Sequence, residues 1–251
     1  MTEVVFPADV VTLSVDIGGS GMKCALLDAK GEMISERVKI DTPYPCPPSR
    51  LIEALKELTA ELSGYHRMSV GFPGLVRDGL VGNIPSLSKS TLEGEIDPVL
   101  VAAWNNFDLA TAIKDAFGVP VRVANDADVQ GSAVIEGKGM EFVMTLGTGC
   151  GAALFYNGKL IPHLELGHAP FRKGDTFEEQ IGNAARKDVG KDRWIGRVKK
   201  AIVAFDAFLF FDHIYIGGGN ARHLVGQDLG PNVTIVENTA GILGGIKIWE
   251  R

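Results

Sequence analysis

Asp16-Ile17-Gly18-Gly19-Ser20-Gly21-Met22-Lys23 closes the β-branched run VVTLSVD at 10–16, and TLGTGCG at 145–151 closes a second apolar run, EFVMTL, at 141–146. Short runs of this kind read as buried strands. Glycines at a strand end let the chain turn tightly or let its backbone approach a ligand. An apolar run returns after each turn, MKCALLD at 22–28 and AALFY at 152–156. Each stretch is therefore a hairpin, and helical and strand-like segments follow each hairpin. A unit that occurs twice, with a glycine turn in each copy, predicts an α/β chain of two lobes around one cleft.

Outward from the hairpins, Glu32–Ile40 is expected as a third strand. Ser49 is an expected N-cap for a helix running to about Ser63. Met68–Phe72 reads as a strand ending at Gly-Phe-Pro-Gly, and 76–104 as irregular. Asp108–Phe117 reads as a helix stopped by Gly118 and Pro120, Val121–Ala124 as a strand, and Asp128–Glu136 as a helix. In the second half, Asn157-Gly158 signals a tight hairpin turn. Phe177–Ala185 and Lys191–Phe208 read as helices, His213–Ile216 and Val233–Val236 as strands, and Ala240–Trp249 as a final helix. The expected division is a small N-terminal lobe over 1–120, joined by the C-terminal helix at about 238–251, and a larger lobe over 121–237.

The 251 residues can bury a real core, and 45% hydrophobic with 22% charged is ordinary for a globular chain. A net charge of −6 disfavours nucleic acid as a partner. No apolar run approaches the roughly 18–20 residues of a membrane span, and the N-terminus lacks the pattern of a signal peptide. Three scattered cysteines, Cys24, Cys46 and Cys150, fit a reducing cytoplasm better than a disulfide framework. With no CxxC pair, no zinc site is expected.

Five clusters carry chemistry. In the first turn, backbone N–H groups at Gly18, Gly19 and Ser20 can meet phosphate oxygens, Lys23 adds positive charge, and Asp16 can hold a hydrated Mg²⁺. Thr148 and Gly149 offer the same backbone chemistry in the second turn. Asn125-Asp126 follows the strand VRVA; Asp126 can accept a proton from a substrate hydroxyl and Asn125 can bond a neighbouring one. The same pair also suits a helix N-cap. Glu165 and His168, three apart, can converge on a polar ligand such as vicinal sugar hydroxyls, or on a metal. Gly217, Gly218 and Gly219, after a buried strand, let a flat ring or a phosphate lie against the backbone.

Together DIGGSGMK (16–23), GFPGLVRDG (71–79), VANDAD (123–128), TLGTGCG (145–151), ELGH (165–168) and GGGNA (217–221) resemble the ROK family of sugar kinases, in order and over nearly the whole chain. That resemblance implies the two-lobed actin-like ATPase (ribonuclease H-like) fold. It implies Asp126 as general base on a sugar 6-hydroxyl, and Asn125, Glu165 and His168 on sugar hydroxyls. A further sugar-binding carboxylate falls on Glu178 in TFEEQIG, Glu179 being the other choice. The sugar site also takes in Gly74 and Asn83. Gly18, Gly19, Thr148 and Gly149 match the phosphate turns, and Gly217–Gly219 the nucleotide-side turn.

The chain lacks the cysteine-rich zinc motif common after ExGH. With PFRKG at 170–174 it is most similar to the polyphosphate/ATP-dependent glucokinase branch. That branch implies Mg²⁺ with ATP or polyphosphate, glucose (and mannose) as acceptor, and a homodimer. The segment 186–200 gathers Arg186, Lys187, Lys191, Arg193, Arg197, Lys199 and Lys200. It is either a guide for polyphosphate or an ordinary solvated helix face. Other hexose or amino-sugar acceptors and a silent sugar-binding protein stay open. The first strand opens at Val10, so the helix-turn-helix of the family's repressors is not expected.

Overall fold

The computed structural model describes residues 5–236 and 243–249. The chain divides into two compact units, Met1–Ala133 with Gly241–Arg251, and Val134–Ala240.

The first unit holds a five-stranded sheet. Its strands are β1 (Thr12–Ile17), β2 (Gly21–Leu27), β3 (Val38–Asp41), β4 (Arg67–Phe72) and, beyond the small hairpin β5 (Val76–Arg77) and β6 (Leu80–Val81), β7 (Val121–Asn125). The order is β3-β2-β1-β4-β7. β1 is antiparallel to β2 and parallel to β4, and β4 is parallel to β7. Four helices accompany the sheet: α1 (Pro48–Leu58), α2 (Pro98–Trp104), α3 (Leu109–Phe117) and α4 (Asp126–Ser132). Leu13, Val15, Met68, Val70, Leu51, Leu55 and Ile113 share one buried core. Trp104 is fully buried there and its indole N–H donates to the Cys46 carbonyl (3.0 Å), so its polar atom is satisfied.

The described C-terminal residues pack on this sheet. Gly244–Trp249 is a 3₁₀ helix. Its Gly245 carbonyl accepts from the Ser69 hydroxyl (2.5 Å), and the Trp249 indole N–H donates to that hydroxyl (2.8 Å). The guanidinium groups of Arg67 and Arg122 each lie 4.9 Å from the Trp249 ring centroid, a cation–π arrangement. A Cβ on Gly244 would come within 1.8 Å of the Val129 carbonyl oxygen, so only glycine allows this approach to α4.

The second unit repeats the first. β8 (Met140–Leu146), β9 (Cys150–Tyr156), β10 (Lys159–Leu160), β13 (His213–Gly217) and β14 (Val233–Ile235) form a sheet of order β10-β9-β8-β13-β14; β11 (Pro170–Arg172) and β12 (Asp175–Thr176) form a separate hairpin. The hairpin, the parallel neighbour and the outer parallel strand match the first sheet position for position. Helices α5 (Phe177–Ile181), α6 (Asn183–Val189) and α7 (Lys191–Leu209) complete the unit. Phe142, Leu154, Ile181, Trp194, Val198, Phe205 and Ile214 form its core.

Several expectations need correction. The boundary expected at 120/121 lies at 133/134, because β7 joins the first sheet through β4 and carries α4 with it. The N-terminal unit is consequently the larger one. The strand expected over 32–40 is shorter. The helix expected from Ser49 starts at Pro48, behind Pro47, and ends where the Thr59 hydroxyl bonds the Leu55 carbonyl. The segment 76–104 contains a hairpin and α2. The helix expected over 177–185 breaks at Gly182. The final helix expected over 240–249 lies partly outside the described residues; the rest is the 3₁₀ turn. No helix among the described residues is long and apolar enough to cross a membrane.

Candidate active site

In the first unit, the C-terminal ends of β1, β4 and β7 lie side by side. Asp16 is opposite Gly71, Gly71 opposite Ala124, and Phe72 opposite Asn125. At about 4.8 Å per strand, the Asp16 and Asn125 strands are about 10 Å apart across the sheet. Strand ends of this kind are where open α/β sheets bind ligands.

The Gly18 amide donates to the Gly21 carbonyl (3.0 Å) and closes the β1–β2 turn. The turn is held from behind by hydroxyls of the proline-rich loop. Thr42 donates to the Gly18 carbonyl (2.6 Å), and the Tyr44 hydroxyl lies 2.5 Å from the Gly19 carbonyl and 2.9 Å from the Ser86 carbonyl. With those carbonyls engaged, the turn is fixed, and Ser20 at its tip is exposed. Lys23 Nζ is 3.4 Å from Asp16 Oδ2 across the hairpin, both side chains partly exposed. One carboxylate beside a glycine turn fits Mg²⁺, which keeps several waters and takes its other oxygens from phosphates.

Asn125 and Asp126 mark the change from β7 to α4. The Asn125 side chain is the N-cap: Oδ1 accepts from the Ala127 amide (2.8 Å), and Nδ2 donates to the Gly74 carbonyl (3.0 Å). The cap and the site reading therefore hold for the same residue. Asp126 Oδ1 also accepts from the Ala127 amide (2.8 Å), and the residue is half-buried. Gly74 has no room for a side chain, since a Cβ would meet the Asn83 carbonyl oxygen at 2.7 Å. Asn83 itself is exposed, and its carbonyl accepts from the Leu75 amide (3.0 Å).

In the second unit, the β8–β9 turn carries Thr148, exposed, and Gly149. Main-chain and amide groups hold it. The Asn183 amide lies 3.1 Å from the Gly147 carbonyl and 3.2 Å from that of Thr148. Asn220 donates from its amide to Leu146 (2.9 Å) and from Nδ2 to Gly147 (3.0 Å), while its Oδ1 accepts from Arg186 Nε (3.1 Å). Gly217 ends β13 beside Thr145. Gly218 has φ +84° and lies against Leu146, whose backbone atoms a Cβ would meet at 2.5–2.8 Å; Gly219 is open.

The polar cluster of this unit lies beside the same turn. Glu178 Oε2 is 3.5 Å from the Cys150 amide and 3.9 Å from His168 Nε2. The missing Cβ of Gly149 makes space for Glu178, whose Oε2 would be 2.2 Å away. Glu165 Oε1 is 3.5 Å from His163 Nε2. Burial of Glu165 favours its neutral form, but the hydrogen bond and charge of His163, aided by His168, outweigh this and hold the carboxyl below its usual range. Burial, with Glu178 adding to it, pushes the Cys150 thiol up to about 12, which makes it an inert wall.

The expected residues thus gather in two sets: Asp16, Gly18, Gly19, Ser20, Lys23, Gly74, Asn125 and Asp126 on the first sheet's edge, and Thr148, Gly149, Glu165, His168, Glu178 and Gly217–Gly219 around the second turn. Glu178 touches the cluster. Glu179 does not: it closes a capping box with Thr176. Sequence reading missed Tyr44, Asn183, Asn220 and His163. Only His163 left a signal, because in HLELGH it alternates with Glu165 on one side of an extended segment. Among the described residues no group of three or more His, Cys, Asp or Glu side chains is placed to hold a metal. Of the basic segment, Arg186 is engaged by Asn183 and Asn220. Arg193, Arg197 and Lys200 line a cavity with Arg172.

The ROK family model matches residues 12–187. The polyphosphate glucokinase of Mycobacterium tuberculosis is 29% identical over 250 residues, covering 92% of this chain and 88% of that protein. The inorganic polyphosphate/ATP-glucomannokinase of Arthrobacter sp. strain KM superposes with a TM-score of 0.81 at 28% identity, over 98% of this chain and 100% of that one. A ROK family glucokinase of Streptomyces griseus, solved with glucose and AMPPNP, shares the fold at TM-score 0.72 and 18% identity, over 95% and 98% of the two chains.

Proposed function

The chain belongs to the ROK family and has its actin-like ATPase fold, and from that premise we propose that it phosphorylates the 6-hydroxyl of glucose, with polyphosphate, ATP or both as donor. The observation that carries this reading is the Asn125–Asp126 pair: a carboxylate at the C-terminal end of a parallel strand, beside an asparagine locked between α4 and the Gly74 carbonyl. A sugar hydroxyl is a poor nucleophile at neutral pH, and a positioned carboxylate removes its proton as it attacks. Asp126 takes that proton while the sugar oxygen bonds to the donor's terminal phosphorus and the phosphorus–oxygen bond to the rest of the donor breaks. The proton then passes to water.

Asn125, Glu165, His168 and Glu178, with the chain at Gly74 and Asn83, are assigned to the sugar. His168 and the two carboxylates offer donors and acceptors in the mixture that hydroxyls need. The backbone at Gly18, Gly19, Ser20, Thr148, Gly149 and Gly217–Gly219, with Lys23, is assigned to phosphates. Asp16 would hold Mg²⁺ through water, and the ion neutralises phosphate charge when bound. The buried thiols of Cys24, Cys46 and Cys150 support a reducing cytoplasm. Family resemblance supports a homodimer, and the glucomannokinase neighbour's name supports mannose as a second acceptor.

A coupled assay crossing glucose, mannose, glucosamine, N-acetylmannosamine and 6-deoxyglucose with ATP and polyphosphate tests the reading. Glucose should turn over with at least one donor, and 6-deoxyglucose with none. Turnover of an amino sugar alone, or of no sugar, would overturn it.

A further inference from the structure

The cavity in the second unit has a volume of about 320 Å³ and is lined by Arg172, Val189, Arg193, Gly196, Arg197 and Lys200. Four cations from two elements line it, with no carboxylate. Arg193, Gly196, Arg197 and Lys200 stand at i, i+3, i+4 and i+7 on α7, so they form one face. Arg172 comes from β11. Two features separate this from a solvated helix face. First, Gln180 is buried and holds two of the guanidinium groups: its side-chain oxygen accepts from Arg172 (3.3 Å) and its carbonyl from Arg197 (3.4 Å). Its Nε2 is fixed in turn by the Asp175 carboxylate. The two arginines are thus pre-set, and less side-chain freedom is lost when an anion arrives. Second, Gly196 lies inside a helix, where glycine is disfavoured, although a Cβ there would meet no atom within 4 Å. Packing does not require that glycine, and its missing side chain leaves the cavity open.

The cavity is also linked to the phosphate turn of its own unit. Helix α6 begins at Asn183, whose amide bonds the turn carbonyls, and ends at Val189, which lines the cavity. Six steps at about 1.5 Å give about 9 Å along the axis. We propose that this cavity is a holding site for the inner phosphates of a linear polyphosphate, engaged by Arg172, Arg193, Arg197 and Lys200 while the chain end lies at the turn. Planar guanidinium forks suit adjacent phosphate oxygens. The inference rests on the proposed function for its donor. It adds a subsite that a longer polyanion can occupy in addition to the turn.

The test uses the full chain with long-chain polyphosphate, tripolyphosphate and ATP, for wild type, Arg193→Gln/Arg197→Gln, and Gly196→Leu, which fills the cavity and keeps every charge. Melting curves check that each variant folds. Both variants should raise KM for long-chain polyphosphate about tenfold or more. KM for ATP and tripolyphosphate should stay within about twofold, and the wild-type preference for the long chain should fall as salt screens it. Equal changes for all three donors, or none for the long chain, would overturn the subsite. If wild type turns over no glucose with polyphosphate, the donor reading fails. Direct binding of long-chain polyphosphate then decides the subsite: weaker binding by both variants supports it, and unchanged binding ends it.

Discussion

The two glycine turns are built on matching hairpins yet are held in different ways. Hydroxyls of Thr42 and Tyr44 support the turn at Gly18–Gly21, and Cβ atoms on Gly18 and Gly19 would come no nearer than 3.1 and 3.3 Å to other atoms. The turn at Gly147–Gly151 is packed between backbones. A Cβ at Gly167 would meet the Cys150 carbonyl oxygen at 2.0 Å, and one at Gly218 the Leu146 backbone at 2.5 Å. Gly18 and Gly19 in the first turn thus meet neighbours that a few tenths of an ångström would relieve, whereas Gly167 and Gly218 beside the second let whole backbone segments stack against it. One scaffold serves two uses, and substitution should separate them.

The largest expected effect is at Gly218. Alanine there takes on a left-handed backbone and a backbone clash together, a cost of about 3 kcal/mol or more. Melting should fall by roughly 10 °C. Gly19→Ala needs only a small shift of Ser86, so it should fold almost as well as wild type yet lose turnover as the phosphate approach narrows. Equal stability of the two variants would erase the distinction.

Next come the supports themselves. Asn220→Ala removes a buried amide that bonds Gly147 and leaves Arg186 short of a partner, for about 2 kcal/mol, while Tyr44→Phe should cost about 1 kcal/mol. Denaturant unfolding measures both, and the reverse order would contradict the contrast between the two turns. The smallest effect concerns Glu165. The folded carboxyl binds its proton more weakly than the unfolded one, so its stabilisation is present above the ordinary carboxylate range and is lost as pH falls through the lower folded value. The gap in melting temperature between wild type and Glu165→Gln should be full just above the ordinary carboxylate range and shrink between roughly pH 5 and 3. A gap independent of pH would contradict the ion-pair assignment.

Both hairpins were legible because glycine clusters punctuate apolar runs, and the Asn125–Asp126 turn because polar residues follow VRVA. What stayed hidden depends on distant partners. In FEEQIGNAA a lone glycine is only a weak break signal; the chain breaks at Gly182 because a Cβ there would meet the Thr148 carbonyl oxygen, and Asn183 must reach the turn. Tyr44 lies in a loop whose prolines announce only irregularity. The unit boundary depends on the ladder between β4 and β7, a pairing across about fifty residues that periodicity does not report. Arg172 is separated in sequence from the helix whose cavity it completes.

Glucose turnover and glucose binding by Asp126→Asn, measured on one preparation, bear most directly on the chemistry. The amide keeps the shape and the bond from Ala127 but is no longer a base. Turnover should drop by about 10²–10⁴ while glucose binds within a few-fold of wild type. A variant that binds glucose and still turns over at near the wild-type rate would contradict the assignment of Asp126 as the base.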